Sequence, residues 1–410
     1  MKNQINGFYT LNNSFGRFLI FLFCVLGLTI LCTSTTIFAA DTKASGNTSG
    51  GQPGTTGPAI SNTPKIATVC VAAGLYHSLF LRADGTLWAV GYNNDGQLGD
   101  GTNNSRSTPV QVATDVSQVV AGNVHSLFVK TDGTLWAMGW NRDGQLGDGT
   151  NINHSTPVQI ASGVAQVSAG VFHTLFVKTD GTLWAMGYNS DGRLGDGTDI
   201  NRSSPVQIAT GVAQVAAGSA HSMFVKTDGT LWVMGYNADC QLGDGTNANR
   251  STPVQIATGV SQVAAGGSYS LFVKTDGTLW AMGYNKYGQL GDGTTNTRIR
   301  PVQVATGVAK IAGGCDHSLF LKTDGTLWAM GANYSNQLGD GTTELRNIPV
   351  EVDAGVVRIA AGGSHSLFVK TDGTLWAMGS NYLGQLGDGT INDRSTPKQT
   401  VIGVKQVATK

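Results

Sequence analysis

The chain has 410 residues, of which 57 are glycine and 13% are charged, with 26 basic and 26 acidic side chains. Glycine at about twice its ordinary share argues against long helices and for many short strands joined by tight turns. A formal charge of zero excludes a global electrostatic pull toward nucleic acid or anionic lipid.

The first 40 residues differ in kind from the rest. Lys2 and Arg17 precede the apolar run FLIFLFCVLGLTILC, Phe18 to Cys32, and Ala39 and Ala40 stand before a polar stretch. Basic, apolar, small is the order of an export signal, and the run is shorter than the roughly 20 residues a membrane span requires. Residues 1–40 are expected to act as a signal peptide. A retained N-terminal membrane anchor is the alternative, because Ile37 and Phe38 suit poorly the place three before the cut. Leu31, ahead of Cys32, argues against lipid attachment. Residues 41–63, DTKASGNTSGGQPGTTGPAISNT, have little to bury and read as a flexible linker. Beyond the signal stand Cys70, Cys240 and Cys315, an odd number in columns that other residues fill in sister repeats, so no disulfide framework is expected.

From there a period takes over. Trp88, Trp136, Trp184, Trp232, Trp280, Trp328 and Trp376 lie 48 residues apart with no insertion or deletion. Seven units fill residues 67–402, and the repeat domain is placed at 64–410. Each unit holds four short apolar segments. In the second these are VSQVVAG (Val116 to Gly122), HSLFVK (His125 to Lys130), TLWAMG (Thr134 to Gly139) and PVQI (Pro157 to Ile160). Asp132-Gly133, between the second and third, is a strong hairpin signal, since the turn needs a positive φ that glycine adopts without strain. Four strands per unit at a period of about 40 to 50 residues specify propeller blades rather than a helical solenoid. The predicted fold is all-β, a seven-bladed β-propeller of seven 48-residue repeats, with the Phe of SLF and the Trp of TLWAMG as its packing core. VKQVA (Val404 to Ala408) duplicates the first strand of the first unit, TVCVAAG (Thr68 to Gly74), which predicts one blade built from both termini.

The repeated phrase AAGxxHSLFVKxDGTLWAMGxNxxGQLGDGT resembles the repeat of the RCC1 (regulator of chromosome condensation) family, over residues 67–402. The likeness is to the bacterial secreted type, similar to β-lactamase inhibitor protein II. It implies the seven-bladed propeller and a choice of functions, since one propeller serves unrelated tasks. Eukaryotic nucleotide-exchange members carry a wedge insertion and basic extensions; the strict spacing here leaves no room for a wedge, which disfavours guanine-nucleotide exchange, as does the export signal. Plant ultraviolet photoreceptors of this fold carry GWxHT clusters, where this chain has GNVHS (Gly122 to Ser126) and GVFHT (Gly170 to Thr174). The inhibitor branch shares export, repeat length and GQLGDGT, and its contacts lie in variable loops, so no contact residue transfers by motif.

Three side-chain columns invite chemistry. His77, His125, His173, His221, His317 and His365 recur in register, with Tyr269 in the fifth unit. Zinc needs nitrogens about 2.0 to 2.1 Å from one ion, which residues spread around an open ring do not offer, so these are read as structural and no metal or cofactor is expected. The Asp-Gly loops lack the ligand spacing of a calcium-binding EF-hand and are read as turns. Arg106, Arg202, Arg250, Arg298, Arg346 and Arg394, with His154 in the second unit, form a basic column. It is read either as an anion-facing ring or as loop arginines paired with the nearby aspartates.

Strand parity selects a face. In an antiparallel blade the first-to-second and third-to-fourth links emerge on one side of the disc, and the hairpin and the link to the next blade on the other. The first side is where repeats differ. Tyr76, Trp140, Arg142, Phe172, Lys286, Tyr287, Tyr334 and Tyr382 fall there and are the candidate partner-binding residues, since aromatics and arginine dominate interface hot spots. The sequence-level expectation is an exported, monomeric, non-catalytic module that binds a protein partner, with enzyme inhibition as one form of that role. It includes no nucleic acid, and a membrane only through a retained N-terminal segment. A glycan-acting propeller enzyme is the alternative from another class and predicts a catalytic cluster that breaks the sevenfold pattern.

Overall fold

The computed structural model describes residues 68–400 of the chain, and every regular element among them is a β-strand. In blade 1 the four strands are Thr68–Ala73, His77–Arg82, Leu87–Gly91 and Arg106–Ala113. The same four recur in each blade down to Val356–Ala361, His365–Lys370, Leu375–Gly379 and Arg394–Gln399 in blade 7. All seven sheets are antiparallel with their strands in sequence order. First strands of adjacent blades abut one another, which sets them around the axis. Fourth strands, half exposed, form the rim.

Two boundaries differ from the sequence reading, each for a local reason. The third strand of blade 2 starts at Leu135 rather than Thr134. Thr134 belongs to the turn: its N–H and its hydroxyl both donate to Asp132 Oδ1, at 2.9 and 2.6 Å, and its Oγ1 accepts from Trp136 Nε1 at 2.9 Å. The fourth strand runs His154–Ala161, beginning three residues before Pro157. A shift in register between Ala137 and Gly139 lets the loop carrying the basic column pair with Gly139.

Apolar packing sits between blades rather than at a single centre. Phe128 and Trp136 are cross-strand partners whose rings stack at 6.3 Å and 3°, and blades 3 to 7 repeat the pair. Around the seam, Val71, Leu79 and Leu87 of blade 1 share one buried cluster with Leu367, Leu375 and Leu386 of blade 7. The ring is therefore closed. Among the described residues it closes by packing between blades of four consecutive strands, blades 1 and 7 included, and the expectation that one blade draws on both termini turns on the second copy of the first strand. The duplicate Val404 to Ala408 lies outside the described residues.

A belt of hydrogen bonds runs through every junction. His77 Nε2 meets Ser126 Oγ of the next blade at 2.8 Å, and the same step joins His125 to Thr174, His173 to Ser222, His221 to Ser270 and His317 to Ser366. His365 to Ser78, at 3.0 Å, crosses the seam. Each of these hydroxyls gives its own proton to a loop carbonyl of the preceding blade, as Ser126 does to Gln97 at 2.7 Å and Ser78 to Gln385 at 2.7 Å. The hydroxyl must then accept from the imidazole, which fixes the neutral tautomer protonated on Nε2. Tyr269 keeps the step in blade 5: its hydroxyl donates to the His317 carbonyl and lies 2.9 Å from Ser318 Oγ.

Burial drives the histidines toward neutrality. His77, His125, His221, His317 and His365 are pushed down to about 3, and His173 well below its ordinary value, by loss of solvent. A proton added at Nδ1 would meet no protein acceptor in any of the six. The unfolded chain takes up these protons below about pH 6.5 while the folded one does not. Stability is therefore full above that pH and falls as pH drops toward 3, by up to about 1.4 kcal/mol per pH unit per histidine. Urea midpoints measured at pH 7.5, 6 and 5 are expected to fall steeply, and a flat profile would contradict the neutral belt.

Candidate functional site

The antiparallel order puts the Gly74-Leu75-Tyr76 links and the loops from Tyr92 to Ser105, with their repeats, on one face of the disc. Each loop is folded around a buried asparagine. Asn93 Oδ1 accepts from Leu98 N at 2.9 Å, and its Nδ2 donates to Asp100 Oδ1 and to the Thr102 carbonyl at 3.1 and 3.0 Å. Gly96 turns the chain with φ +81°, and a Cβ there would stand 2.5 Å from Ser155 Cα of the next blade. Cys240 and Asn336 hold that left-handed turn in blades 4 and 6, with φ of 62° and 63°.

The arginine column is engaged within these loops. Arg106 bonds Asp100, and Arg202, Arg250, Arg298, Arg346 and Arg394 bond Asp196, Asp244, Asp292, Asp340 and Asp388 in the same way. His154 Nε2 reaches Asp148 at 2.7 Å in the place of the seventh. Each base thus has one nearly buried carboxylate of its own, and the six arginines carry matched charges rather than forming a ring of free cations. Burial pushes Asp100 up, but hydrogen bonds from Thr102 and Arg106 outweigh it and hold the carboxyl below its usual range.

At the axis, Leu75, Val171 and Cys315 from blades 1, 3 and 6 form a small buried cluster, with Tyr76 and Phe172 packed on it. Backbone bonds between successive links surround this plug, including Gly363 N to Gly74 O at 3.4 Å across the seam. Only a few side chains fit on one axis, so the sevenfold column is occupied unequally: a Cβ at Gly363 would lie 2.5 Å from Leu75 Cδ1.

Around the plug the structure brings several of the candidate residues together. Tyr76 meets Tyr382 edge-on at 5.6 Å, and Tyr92 at 6.3 Å. Tyr287 meets Tyr334 at 6.0 Å and Tyr284 at 6.2 Å. Phe172 meets Tyr188 at 6.5 Å, Arg142 lies over Trp140 at 4.8 Å, and Lys286 is exposed at its loop tip. Trp140 with Arg142, and Phe172 with Tyr188, form clusters of their own on blades 2 and 3.

Sequence reading passed over the residue directly after the third strand: Tyr92, Tyr188, Tyr236 and Tyr284 stand there in line with Trp140. The signal was available, since five repeats place an aromatic in that column and two place Ala332 and Ser380. It also passed over Arg193, which stands where the other repeats have glutamine. Arg193 is buried, paired with Asp191, bonded to the Ser219 carbonyl at 3.1 Å and set 4.7 Å over Tyr188. Burial lowers its affinity for a proton, opposed by Asp191. Burial also raises Asp95 and Asp143.

The opposite face repeats itself. Lys130 lies 5.0 Å over Trp136, and lysines of blades 3 to 7 repeat the contact. Arg82 substitutes at 4.1 Å over Trp88 in blade 1. Among the described residues no three metal-ligating side chains gather.

A closed ring of seven near-identical blades whose differences collect on one face defines a repeat-propeller scaffold. The chain matches the RCC1-like domain family over residues 113–409, and the regulator of chromosome condensation (RCC1) repeat over residues 84–129 and 69–97. It belongs to the RCC1-like family. Similar solved structures include human WBSCR16, at 25% identity over 77% of this chain and 93% of that one, with a TM-score of 0.68. Yeast RCC1 (Prp20), solved with Kap60, matches at 20% identity over 87% and 91% with a TM-score of 0.70. A second structure of Prp20p from Saccharomyces cerevisiae, studied for its binding to Gsp1p and histones, matches at 21% over 82% and 87%, also at 0.70. The two yeast structures establish likeness of fold.

The loop geometry separates two roles within each ion pair. Asp100 accepts from four groups, Asn93 Nδ2, Thr102 N, Thr102 Oγ1 and Arg106, whereas the partly exposed Arg106 supplies only the outermost of these. Asp100→Ala is expected to cost about 1–3 kcal/mol by stranding buried donors, and Arg106→Ala at most about 1 kcal/mol. Chemical denaturation of the two variants checks the order, and equal losses would show the guanidinium to be essential to the loop.

Proposed function

We propose that this protein is an exported, non-catalytic binding module that recognises a protein partner through the loop face of its propeller. The supporting observation is where the departures from sevenfold repetition fall. The belt, the hairpins and the Phe-Trp stacks recur with few changes from blade to blade, while the aromatic side chains that depart from the repeat gather on the loop face. On that face tyrosines of blades 5, 6, 7 and 1 gather in two edge-packed clusters, alongside serine, glycine and asparagine. Tyrosine offers a large, stiff contact area with a polar tip, and this composition suits recognition of a folded protein surface. Export is supported by the order of residues 1–40, and absence of catalysis by the way the polar columns are consumed: histidines in the belt, acids in the loops.

Enzyme inhibition is one form this binding would take, and the resemblance in repeat length and GQLGDGT to the secreted inhibitor branch supports it. The test pairs an inhibition assay against a class A β-lactamase with affinity capture from envelope and medium fractions. Both use the wild type beside the Tyr334→Ala, Tyr382→Ala double variant. Expected is a partner, or inhibition, that the double variant weakens by at least tenfold. A partner retained equally by the double variant and lost on substitution of the hairpin-face Lys226 would overturn the assignment of the face.

A further inference from the structure

Blades 1 to 5 set an aromatic ring just beyond the third strand, and each of these rings is partly buried. Blades 6 and 7 have Ala332 and Ser380 there, both 4% exposed, and their aromatics stand two residues further out, at Tyr334 and Tyr382, 65% and 47% exposed. The inner aromatic circle is thus interrupted on two adjacent blades, and the displaced rings become walls. Tyr334 stands at 87° to Tyr287, and Tyr287 at 72° to Tyr284, so three rings lie each nearly perpendicular to the next.

An acid is tied to the base of this cluster. Gln289, fully buried, accepts from the Tyr287 backbone N–H through Oε1 at 3.1 Å and donates through Nε2 to Asp316 Oδ1 at 3.4 Å. One side chain therefore holds the Tyr287 loop and the Asp316 carboxylate side by side across the junction of blades 5 and 6. Asp316 occupies a column filled elsewhere by Tyr76, Val124, Phe172, Ala220, Ser268 and Ser364, so it is the one acid at that level of the face. An aromatic face carries negative potential, and a cation set among several such faces with a carboxylate nearby is attracted by both, the more so once a partner excludes water.

From this arrangement we propose that Tyr284, Tyr287, Tyr334 and Asp316 form a subsite for a cationic side chain, lysine or arginine, presented by a protein partner. The inference rests on the loop-face reading above and names what that face selects. Lys286, exposed at the tip of the same loop, is the base that opposes it and sets an upper limit on affinity.

The test uses small probes on the purified chain. Nα-acetyl-arginine methylamide and Nα-acetyl-lysine methylamide are titrated against the neutral Nα-acetyl-norleucine methylamide, with binding read by ligand-observed NMR. Expected are millimolar dissociation constants for the two cations and binding at least tenfold weaker for norleucine. Asp316→Asn, which keeps an acceptor for Gln289, is expected to weaken the cations at least fivefold. Tyr334→Ala, at an exposed tip, is expected to do the same without loss of thermal stability. Lys286→Ala is expected to tighten binding, and Tyr382→Ala to leave it unchanged. Norleucine binding as well as arginine, or full cation binding in Asp316→Asn, would overturn the subsite whatever the partner assay shows. Partner capture untouched by Tyr334→Ala, Tyr382→Ala would overturn the face reading whatever the probes show, so the two failures are distinguishable.

Discussion

Six of the seven junctions between blades turn on one three-part contact, an imidazole of one blade, a hydroxyl of the next and a loop carbonyl that accepts that hydroxyl's proton, and the Tyr269 phenol takes the imidazole's place at the seventh. The geometry is directional. The hydroxyl can serve both partners only if the imidazole donates, so the bond orients each blade against its neighbour and anchors the preceding blade's loop in the same act. Apolar packing between blades supplies most of the attraction, but two sheets facing each other across aliphatic side chains have little to fix their rotation or height. The belt supplies that register, and its repetition at the seam, through His365 and Ser78, makes the last junction equivalent to the other histidine junctions.

A scaffold held this way separates what must be copied from what is free to differ. The residues of the belt, the hairpin and the buried asparagine of each loop are constrained by contacts that recur every 48 residues. The two residues before each histidine and those around the loop asparagine lie beyond those contacts. Their shared hydrogen bonds are made by the backbone, which leaves side-chain choice to crowding at the axis, so Leu75, Val171 and Cys315 can fill the centre while Gly267 and Gly363 stand aside. Unequal filling breaks the symmetry on that face, so it has a wide sector of tyrosines and another where Arg193, Asp143 and Asp191 lie together.

The fold was legible in the sequence because its determinants are local and repeated. Tryptophans at a fixed interval, Asp-Gly between two β-rich runs, and the absence of insertions specify blade, hairpin and ring together. What escaped was set by tertiary geometry. Thr134 reads as strand by its neighbours, yet its hydroxyl is bound to Asp132 in the turn. The duplicated first strand suggested a blade shared between termini, but a pattern match does not say which copy pairs where, and among the described residues Thr68–Ala73 is the first strand of blade 1. The candidate residues on the loop face were found by their variability, and the structure joined Tyr76 to Tyr382 and Tyr287 to Tyr334, pairs that lie 306 and 47 positions apart. Tyr284 and Arg193 were missed for the opposite reason: one sits in a column too regular to stand out among the variable positions, the other replaces a glutamine whose buried role the sequence does not announce.

That contrast bears on how such a face acquires specificity. Moving an aromatic ring from the partly buried column of Tyr284 to the exposed place of Tyr334 leaves the belt, the hairpin and the loop asparagine in place, since blade 6 keeps His317 bonded to Ser366, Thr326 bonded to Asp324 and Asn333 bonded to Leu338 N. The change costs the blade a half-buried contact and gives the face a projecting wall. A substitution such as Asp316 likewise alters the local field without altering the ring, since Gln289 already stands beneath it with a donor to offer. Recognition on this scaffold is therefore tuned by relocating rings and single charges over a fixed set of backbone positions, and the junction chemistry that makes those positions rigid is also what makes the relocations tolerable.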